Sequence, residues 1–236
     1  MKNITIIGTG YVGLVTGAGM SEFGNTVICT DIDTKKIEEL NSGLIPIYEP
    51  GLEEVIKRNF ENNRLFFSSD IEASIQKAEV VVIAVGTPQG ENGMADLRFV
   101  HSVVDTISSN LNTYKVVCTK STVPIGTGKG IIKKIKNNNN HRETFDYVSN
   151  PEFLREGSAI KDFLWPDRVI IGTDSEKAYK IMCDIYRPLY INKNPITHTS
   201  IETAEMIKYA SNSFLALKIS YINEIANLCE LLGADV

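Results

Sequence analysis

The strongest constraint on this chain stands at its start. Gly8-Thr9-Gly10-Tyr11-Val12-Gly13 follows the apolar run Ile4 to Ile7 directly and opens a helical pattern containing Leu14, Val15, Ala18 and Met20. Glycine allows the positive φ of a tight turn, lets backbone N–H groups approach a pyrophosphate and lets a helix pack closely on a strand, while the helix N-terminus favours an anion. A bare GxGxxG is a weak signal. Here it gains force from the strand before it, the helix after it, and Asp31, which closes a second strand 18 residues past Gly13. An acid at that place suits adenosine ribose hydroxyls and repels a 2′-phosphate, so the expected cofactor is NAD rather than NADP. Lys35 and Lys36 soften that preference, since either can reach a phosphate or simply be solvated.

The same strand and helix alternation continues. Further strands are expected at Thr26 to Thr30, Arg64 to Phe67, Val80 to Val85, Lys115 to Thr119, Asp146 to Val148 and Arg168 to Ile171, in near-continuous apolar runs that suit burial on both faces. Helical patterns lie between them at TKKIEELNSG, at GLEEVIKRN, from about Asp96 to Ser109 and from Gly126 to Lys136. The fold class that follows is α/β, a doubly wound, mostly parallel, Rossmann-like sheet followed by a long C-terminal helix. The run of four Asn at 137 to 140 reads as a surface loop, and no internal repeat is visible.

Composition narrows the function classes. With 43% hydrophobic and 22% charged residues over 236 positions, the chain matches an ordinary globular protein. Its longest apolar run, AEVVVIAVG, is far short of a membrane span, and MKNITIIG lacks the features of a secretory leader, which points to the cytosol. A net charge of -5 without a dense basic stripe argues against nucleic acid as a partner. Four scattered Cys and three His offer no ligand spacing for zinc, so no metal is expected.

In an open α/β sheet, ligands sit beyond the carboxyl ends of the strands. Three expected strand ends carry marked residues: Gly86-Thr87-Pro88, Lys120-Ser121-Thr122-Val123-Pro124, and Asn150-Pro151-Glu152-Phe153-Leu154-Arg155-Glu156-Gly157. Any one of them suits a plain turn; together they suggest one site. Glu152 and Glu156 are four apart, so a helical turn would place both carboxylates on one side, one as base and one for binding; a solvated acidic helix start is the plainer alternative.

From Ile201 to about Leu232 there is no Gly, Pro or turn cluster, and Thr199 with Glu202 forms a capping-box pattern. One helix of about 30 residues, roughly 45 Å long, is expected. The chain therefore divides into a dinucleotide-binding domain over 1–198 and a connecting or dimerisation helix over 199–236, and it reads as the N-terminal part of something larger. The helix carries Ile207, Phe214, Leu215, Leu217, Ile219, Ile222, Ile225 and Leu228, too many apolar positions for one narrow stripe, so a homodimer through this helix is expected. Lys208 and Asn212, at i and i+4, share a face; a lysine there stabilises a developing alkoxide if it is near substrate, or is an ordinary exposed lysine.

Taken together, these stretches resemble the UDP-glucose/GDP-mannose dehydrogenase family, and most closely its UDP-glucose-oxidising branch. The matching stretches are ITIIGTGYVGLVTG, DIDTKKIEELNSGLIPIYEPGLEE, VVIAVGTPQGENGMADL, KSTVPIGTG, SNPEFLREGSAIKDFLWPDRVIIG and ETAEMIKYASNSFLALKISYINEIANLCELLGADV, in the family's order across essentially the whole chain. The resemblance implies an NAD site at Gly8, Gly10, Tyr11, Val12, Gly13, Asp31, Lys36, Thr87, Thr122 and Glu156, and contacts to a UDP-glucose substrate from Glu152, Phe153, Leu154, Arg155, Glu156, Lys208 and Asn212. It also implies a four-electron oxidation of the sugar C6 alcohol to a carboxylate through a cysteine-bound thiohemiacetal and thioester. In that scheme Lys208 and Asn212 stabilise oxyanions, Thr122 helps hold a water and Glu152 is the general base for hydrolysis.

The family's nucleophile lies in a GFGGSCFPKD-like motif after the long helix, and no such motif is in these 236 residues. Cys29 and Cys118 read as strand residues, Cys183 as part of a peripheral helix and Cys229 as near the end of the long helix, so each is expected to be a small hydrophobe rather than a nucleophile. The chain is thus expected to bind NAD but to turn over UDP-glucose poorly or not at all. Other readings are a UDP-N-acetylhexosamine or GDP-mannose dehydrogenase, a 3-hydroxyacid or 6-phosphogluconate-type dehydrogenase, and a non-catalytic NAD-binding module; NPEFLREG and YEPGL count against the 3-hydroxyacid type.

Overall fold

A computed structural model describes residues 1–91, 93–138, 144–192 and 196–236. Eight strands form one sheet: β1 (Asn3–Ile7), β2 (Thr26–Thr30), β3 (Leu65–Ser68), β4 (Val80–Ile83), β5 (Lys115–Thr119), β6 (Phe145–Ser149), β7 (Val169–Gly172) and β8 (Ile196–Thr199). Nine helices connect or flank them: α1 (Tyr11–Glu22), α2 (Thr34–Asn41), α3 (Leu52–Glu61), α4 (Ile71–Lys77), α5 (Arg98–Ser109), α6 (Thr127–Asn138), α7 (Ala159–Leu164), α8 (Glu176–Ile185) and α9 (Ile201–Leu232) among the described residues.

The strand order is β3-β2-β1-β4-β5-β6-β7-β8. Its first six members have the order of a doubly wound dinucleotide-binding sheet, with the reversal between β1 and β4. All pairings are parallel except β6 with β7, which run antiparallel. Each buried strand contributes to both faces: Ile4, Ile6, Val80, Val82, Val116, Cys118 and Val148 pack into one core, while Ile7, Val81, Ile83, Val117 and Tyr147 pack into the other. Double-sided burial explains the continuous apolar runs, because neither alternate position meets water.

Seven of the strands match those expected from sequence, with ends shifted by a residue or two. β8 is the exception. Ile-Thr-His-Thr is short, only half buried and at the sheet edge, so it has no apolar run to betray it. The first two residues of the Asn run, Asn137 and Asn138, extend α6 rather than forming loop, and the other two lie outside the described residues.

The long helix has the expected span, but its cap differs. Thr199 is the last residue of β8, and its carbonyl accepts the Thr173 N–H at 3.0 Å. The extended backbone there moves the cap to Ser200, whose hydroxyl accepts the Thr203 N–H at 3.2 Å. Only the start of α9 is embedded, through Ile201, Ala204, Glu205 and Lys208. A Cβ on Gly172 would stand 2.5 Å from the Ala204 methyl, so β7 and α9 meet backbone to side chain. The Glu205 carboxylate accepts the Gly126 and Gly128 N–H groups at 2.6 and 2.7 Å, fixing α9 to the entry of α6. Beyond Asn212 the helix projects from the body, with Phe214, Leu215, Leu217, Ile219, Tyr221, Ile222 and Leu228 exposed.

Candidate functional site

The glycine turn occupies the sheet's reversal point. Gly8 has φ +104°, and a Cβ there would lie 2.6 Å from the Ala84 carbonyl oxygen. A Cβ on Gly13 would lie 1.8 Å from the Gly8 oxygen. Gly10 is different: nothing lies within 4 Å of a Cβ built on it, so its backbone faces open space. The first and third glycines are thus required by turn and packing, and the second leaves room for a ligand against the backbone. α1 begins at Tyr11 with no side chain capping it, which leaves its first N–H groups for an anion.

A pocket of about 350 Å³ opens at this point, lined by Gly8, Gly10, Asp31, Ile32, Lys36 and Phe99 among others. Asp31 Oδ2 accepts the Thr9 N–H at 2.8 Å and the Thr9 hydroxyl at 2.7 Å, and Oδ1 accepts the Asp33 N–H at 3.2 Å. Burial pushes the Asp31 carboxyl upward, but these donors and the Lys36 ammonium outweigh it and hold it below its ordinary value. Lys36 Nζ lies 3.6 Å from Oδ2, so the lysine is paired with the acid rather than free. The arrangement fits an adenosine diphosphate: amides and a helix end for the phosphates, a carboxylate for the ribose, and apolar walls for the base. Ile32, Phe99 and Val103 form part of those walls. Sequence reasoning missed them, since an apolar wall residue looks like any core residue.

A second pocket of about 310 Å³ lies at the end of β6 and includes Lys120, Asn150, Glu152, Phe153, Leu154 and Arg155 in its lining. Glu152 Oε1 receives Lys208 Nζ at 2.9 Å, and Oε2 accepts the Leu154 N–H at 2.6 Å. The two side chains are 12% and 8% exposed. Two cations lie near the Phe153 ring, with Arg168 Cζ 4.3 Å and Lys208 Nζ 5.3 Å from its centre. Lys120 is buried in the pocket floor, where Nζ donates to Asn150 Oδ1 at 3.3 Å and to the Tyr186 hydroxyl oxygen at 3.4 Å. Burial pushes its ammonium below the ordinary value. Arg168 and Trp165 were not among the expected site residues, and Lys120 was expected only as part of a marked strand end. Trp165, the only tryptophan and 60% exposed at the pocket, was the one with a usable signal.

The remaining expected residues separate. Thr87 and Thr122 are joined, the Thr87 hydroxyl donating to the Thr122 carbonyl at 2.8 Å, so the ends of β4 and β5 meet as expected. Neither lines the pocket that contains Gly8 and Asp31. Val12 lies in the first turn of α1, and the Tyr11 hydroxyl points away from the glycines to Glu49. Asn212, one turn beyond Lys208, is exposed. The helical turn expected to align Glu152 with Glu156 does not form: Pro151 through Arg155 is irregular, Gly157 has φ +84°, and α7 starts only at Ala159. Glu152 turns back onto its own backbone and to Lys208, while Glu156 is exposed. The cysteines fall as expected, Cys29 and Cys118 inside the sheet with burial pushing both thiols up to about 12. Among the described residues, no helix is long and apolar enough to cross a membrane.

Sheet order, glycine turn and acid together define a Rossmann-type nucleotide-binding protein. Residues 2–190 match the UDP-glucose/GDP-mannose dehydrogenase family, NAD binding domain, and residues 202–236 match that family's central domain. The chain belongs to the UDP-glucose/GDP-mannose dehydrogenase family, and its cofactor is NAD. It is 51% identical over 236 residues to UDP-glucose 6-dehydrogenase TuaD of Bacillus subtilis, covering all of this chain and 50% of that protein. It is 49% identical to the UDP-glucose 6-dehydrogenase of Rhizobium meliloti, covering 99% of this chain and 54% of the relative. Among solved structures, a UDP-glucose dehydrogenase from Pyrobaculum islandicum superposes with TM-score 0.95 at 38% identity, over 100% of this chain and 54% of that one. A GDP-mannose dehydrogenase from Pseudomonas aeruginosa superposes with TM-score 0.93 at 35% identity, over 99% and 54%. The chain therefore spans about half the length of the curated relatives it matches.

Proposed function

We propose that this chain supplies the NAD site and part of the sugar-nucleotide site of an oxidoreductase that converts the C6 alcohol of UDP-glucose to the carboxylate of UDP-glucuronate. The observation that carries the reading is the pairing of Lys208, from a helix, with Glu152, a strand-end carboxylate that lines a pocket of about 310 Å³ at the sheet edge that also bears the glycine turn. NAD, when bound, would supply the hydride acceptor, and two NAD in succession would be needed for the four-electron change from alcohol to carboxylate. The protein's part is placement and charge. Gly8, Gly10, Tyr11, Val12, Gly13, Asp31 and Lys36 hold the adenosine diphosphate, and Thr87, Thr122 and Glu156 contribute toward the nicotinamide end. Phe153, Leu154 and Arg155 with Glu156 contact the sugar nucleotide. Lys208, with Asn212, stabilises the oxyanion that develops as the alcohol is oxidised; Glu152, hydrogen-bonded to Lys208, serves as general base for hydrolysis, and Thr122 helps hold a water.

The proposal includes a boundary between a dinucleotide domain over 1–198 and a connecting helix over 199–236, pairing of two chains through that helix, and a cytosolic setting with small nucleotides as ligands. It also includes weak or no turnover by the 236-residue chain, because none of its four cysteines is placed as a nucleophile: two are buried in the sheet, and the others lie on α8 and α9. Calorimetric titration with NAD and then UDP-glucose, followed by an assay for NADH, tests the reading. Binding of both ligands with little NADH is the expected result. Full conversion to UDP-glucuronate by this chain would refute the turnover statement. Failure to bind NAD would refute the site, and turnover of a 3-hydroxyacid would replace the substrate assignment.

A further inference from the structure

Glu49 sits in the Tyr48-Glu49-Pro50-Gly51 turn ahead of α3, far in sequence from Tyr11 and Gly157, yet it is 5% exposed and hydrogen-bonds both. Its Oε2 accepts the Tyr11 hydroxyl at 2.5 Å and the Gly157 N–H at 2.8 Å, and its Oε1 accepts the Ala159 N–H at 2.7 Å. Tyr11 is the first residue of α1, directly after the open Gly10. Gly157 and Ala159 follow the Glu152 to Glu156 segment immediately and lead into α7. One oxygen atom is therefore shared between the glycine turn and the proposed sugar-binding segment.

We propose that Glu49 is a positioning residue that couples occupation of the dinucleotide turn to the conformation of the 155–159 segment. The inference rests on the proposed reading that the glycine turn holds NAD. A buried carboxylate gripped by donors from two elements resists movement of either one alone, because an abandoned donor in that setting is costly. The Tyr11 hydroxyl has one proton. It lies 2.5 Å from Glu49 and 3.4 Å from the Arg155 carbonyl, so both of its acceptors tie α1 to the 155–159 segment, one through Glu49 and the other directly. Burial raises the Glu49 carboxyl, but Tyr11 and the N–H groups of Gly157, Ala159 and Ile160 outweigh it, so the group is ionised at neutral pH and its hydrogen bonds are charge-assisted. Anchoring a diphosphate on the first amides of α1 fixes Tyr11, and through Oε2 it fixes Gly157.

Amide hydrogen exchange at residues 155–160 tests this on the whole chain, free and with NAD at a concentration shown by calorimetry to saturate each variant. In the natural sequence, NAD is expected to slow exchange at Gly157 and Ala159 about fivefold or more. In Tyr11→Phe, which deletes one hydroxyl, the same saturation is expected to slow it less than about twofold. Glu49→Gln, which keeps the shape but loses an acceptor, is expected to behave likewise. Equal protection in saturated Tyr11→Phe and the natural chain would overturn the coupling. So would a variant effect of the same size with and without NAD, which is the behaviour of a static brace. If the natural chain shows no calorimetric NAD binding, the cofactor reading itself fails and takes the coupling with it; saturation without protection overturns the coupling alone.

Discussion

Lys208 Nζ lies 2.9 Å from Glu152 Oε1, and both side chains are nearly buried, at 8% and 12% exposure. A pair in such a place is weak evidence of net stabilisation, yet removing one member strands the other charge. Lys208→Met or Glu152→Gln alone is expected to destabilise by about 3 kcal/mol. The double substitution is expected to cost clearly less than the sum, and urea unfolding of the four chains measures the cycle. Additive losses would show that the two groups do not interact.

The three glycines of the turn are expected to respond differently. Gly13→Ala drives a methyl into the Gly8 carbonyl and is expected to destabilise by on the order of 3 kcal/mol. Gly10→Ala meets open space at φ -73°, so its stability change is expected to be under about 1 kcal/mol while NAD affinity falls at least about tenfold. Thermal unfolding together with calorimetry separates the two effects.

Asp31 sets a pH dependence. Its carboxyl is held below the ordinary value, so the unfolded chain binds its proton more readily than the folded one. The resulting stability is fully present above about pH 4 and is lost as pH falls through the folded-state value. Asp31→Asn is expected to flatten that acid limb and to weaken NAD binding about tenfold. Glu205 acts in the opposite sense: burial raises it despite the Gly128 and Gly126 amides, so its contribution favours folding at low pH and is lost as pH rises through the raised value. Unfolding midpoints measured across the acid range report both slopes.

Trp165, half-exposed at the pocket that holds Glu152, is a built-in reporter. Adding UDP-glucose is expected to change its fluorescence, while NAD alone changes it much less. Trp165→Phe removes the signal. No change with UDP-glucose at calorimetric saturation would place the sugar nucleotide elsewhere.

The projecting part of α9 carries Leu215 and Ile222 seven residues apart, both exposed, and therefore on one face of the helix about two turns apart. Light scattering of the natural chain is expected to show mass rising with concentration toward a dimer. Leu215→Glu combined with Ile222→Glu is expected to give a monomer with NAD affinity unchanged, because neither residue approaches the pocket that contains Gly8 and Asp31.

The strands, the long helix and the dinucleotide turn were legible because each depends on local pattern. β-Branched runs buried on both faces declare themselves, and only glycine satisfies Gly8 and Gly13. β8 was missed for the same reason, since a four-residue edge strand has no pattern of its own. The Glu152 and Glu156 alignment failed because a spacing of four means a shared face only inside a helix, and here Gly157 and the capture of Glu152 by Lys208 and Leu154 hold the segment irregular.

Sequence by itself determined the doubly wound sheet, the glycine turn with its acid and the span of α9, all of which follow from periodicity and backbone sterics acting over a few residues. Tertiary structure alone decided that Lys208 meets Glu152 rather than solvent, that Lys120 is buried against Asn150 and Tyr186, and that Glu49 joins α1 to the segment after β6. Those contacts link positions tens of residues apart. Their existence depends on which lone pairs and protons the closed fold leaves facing one another, and no local pattern encodes that.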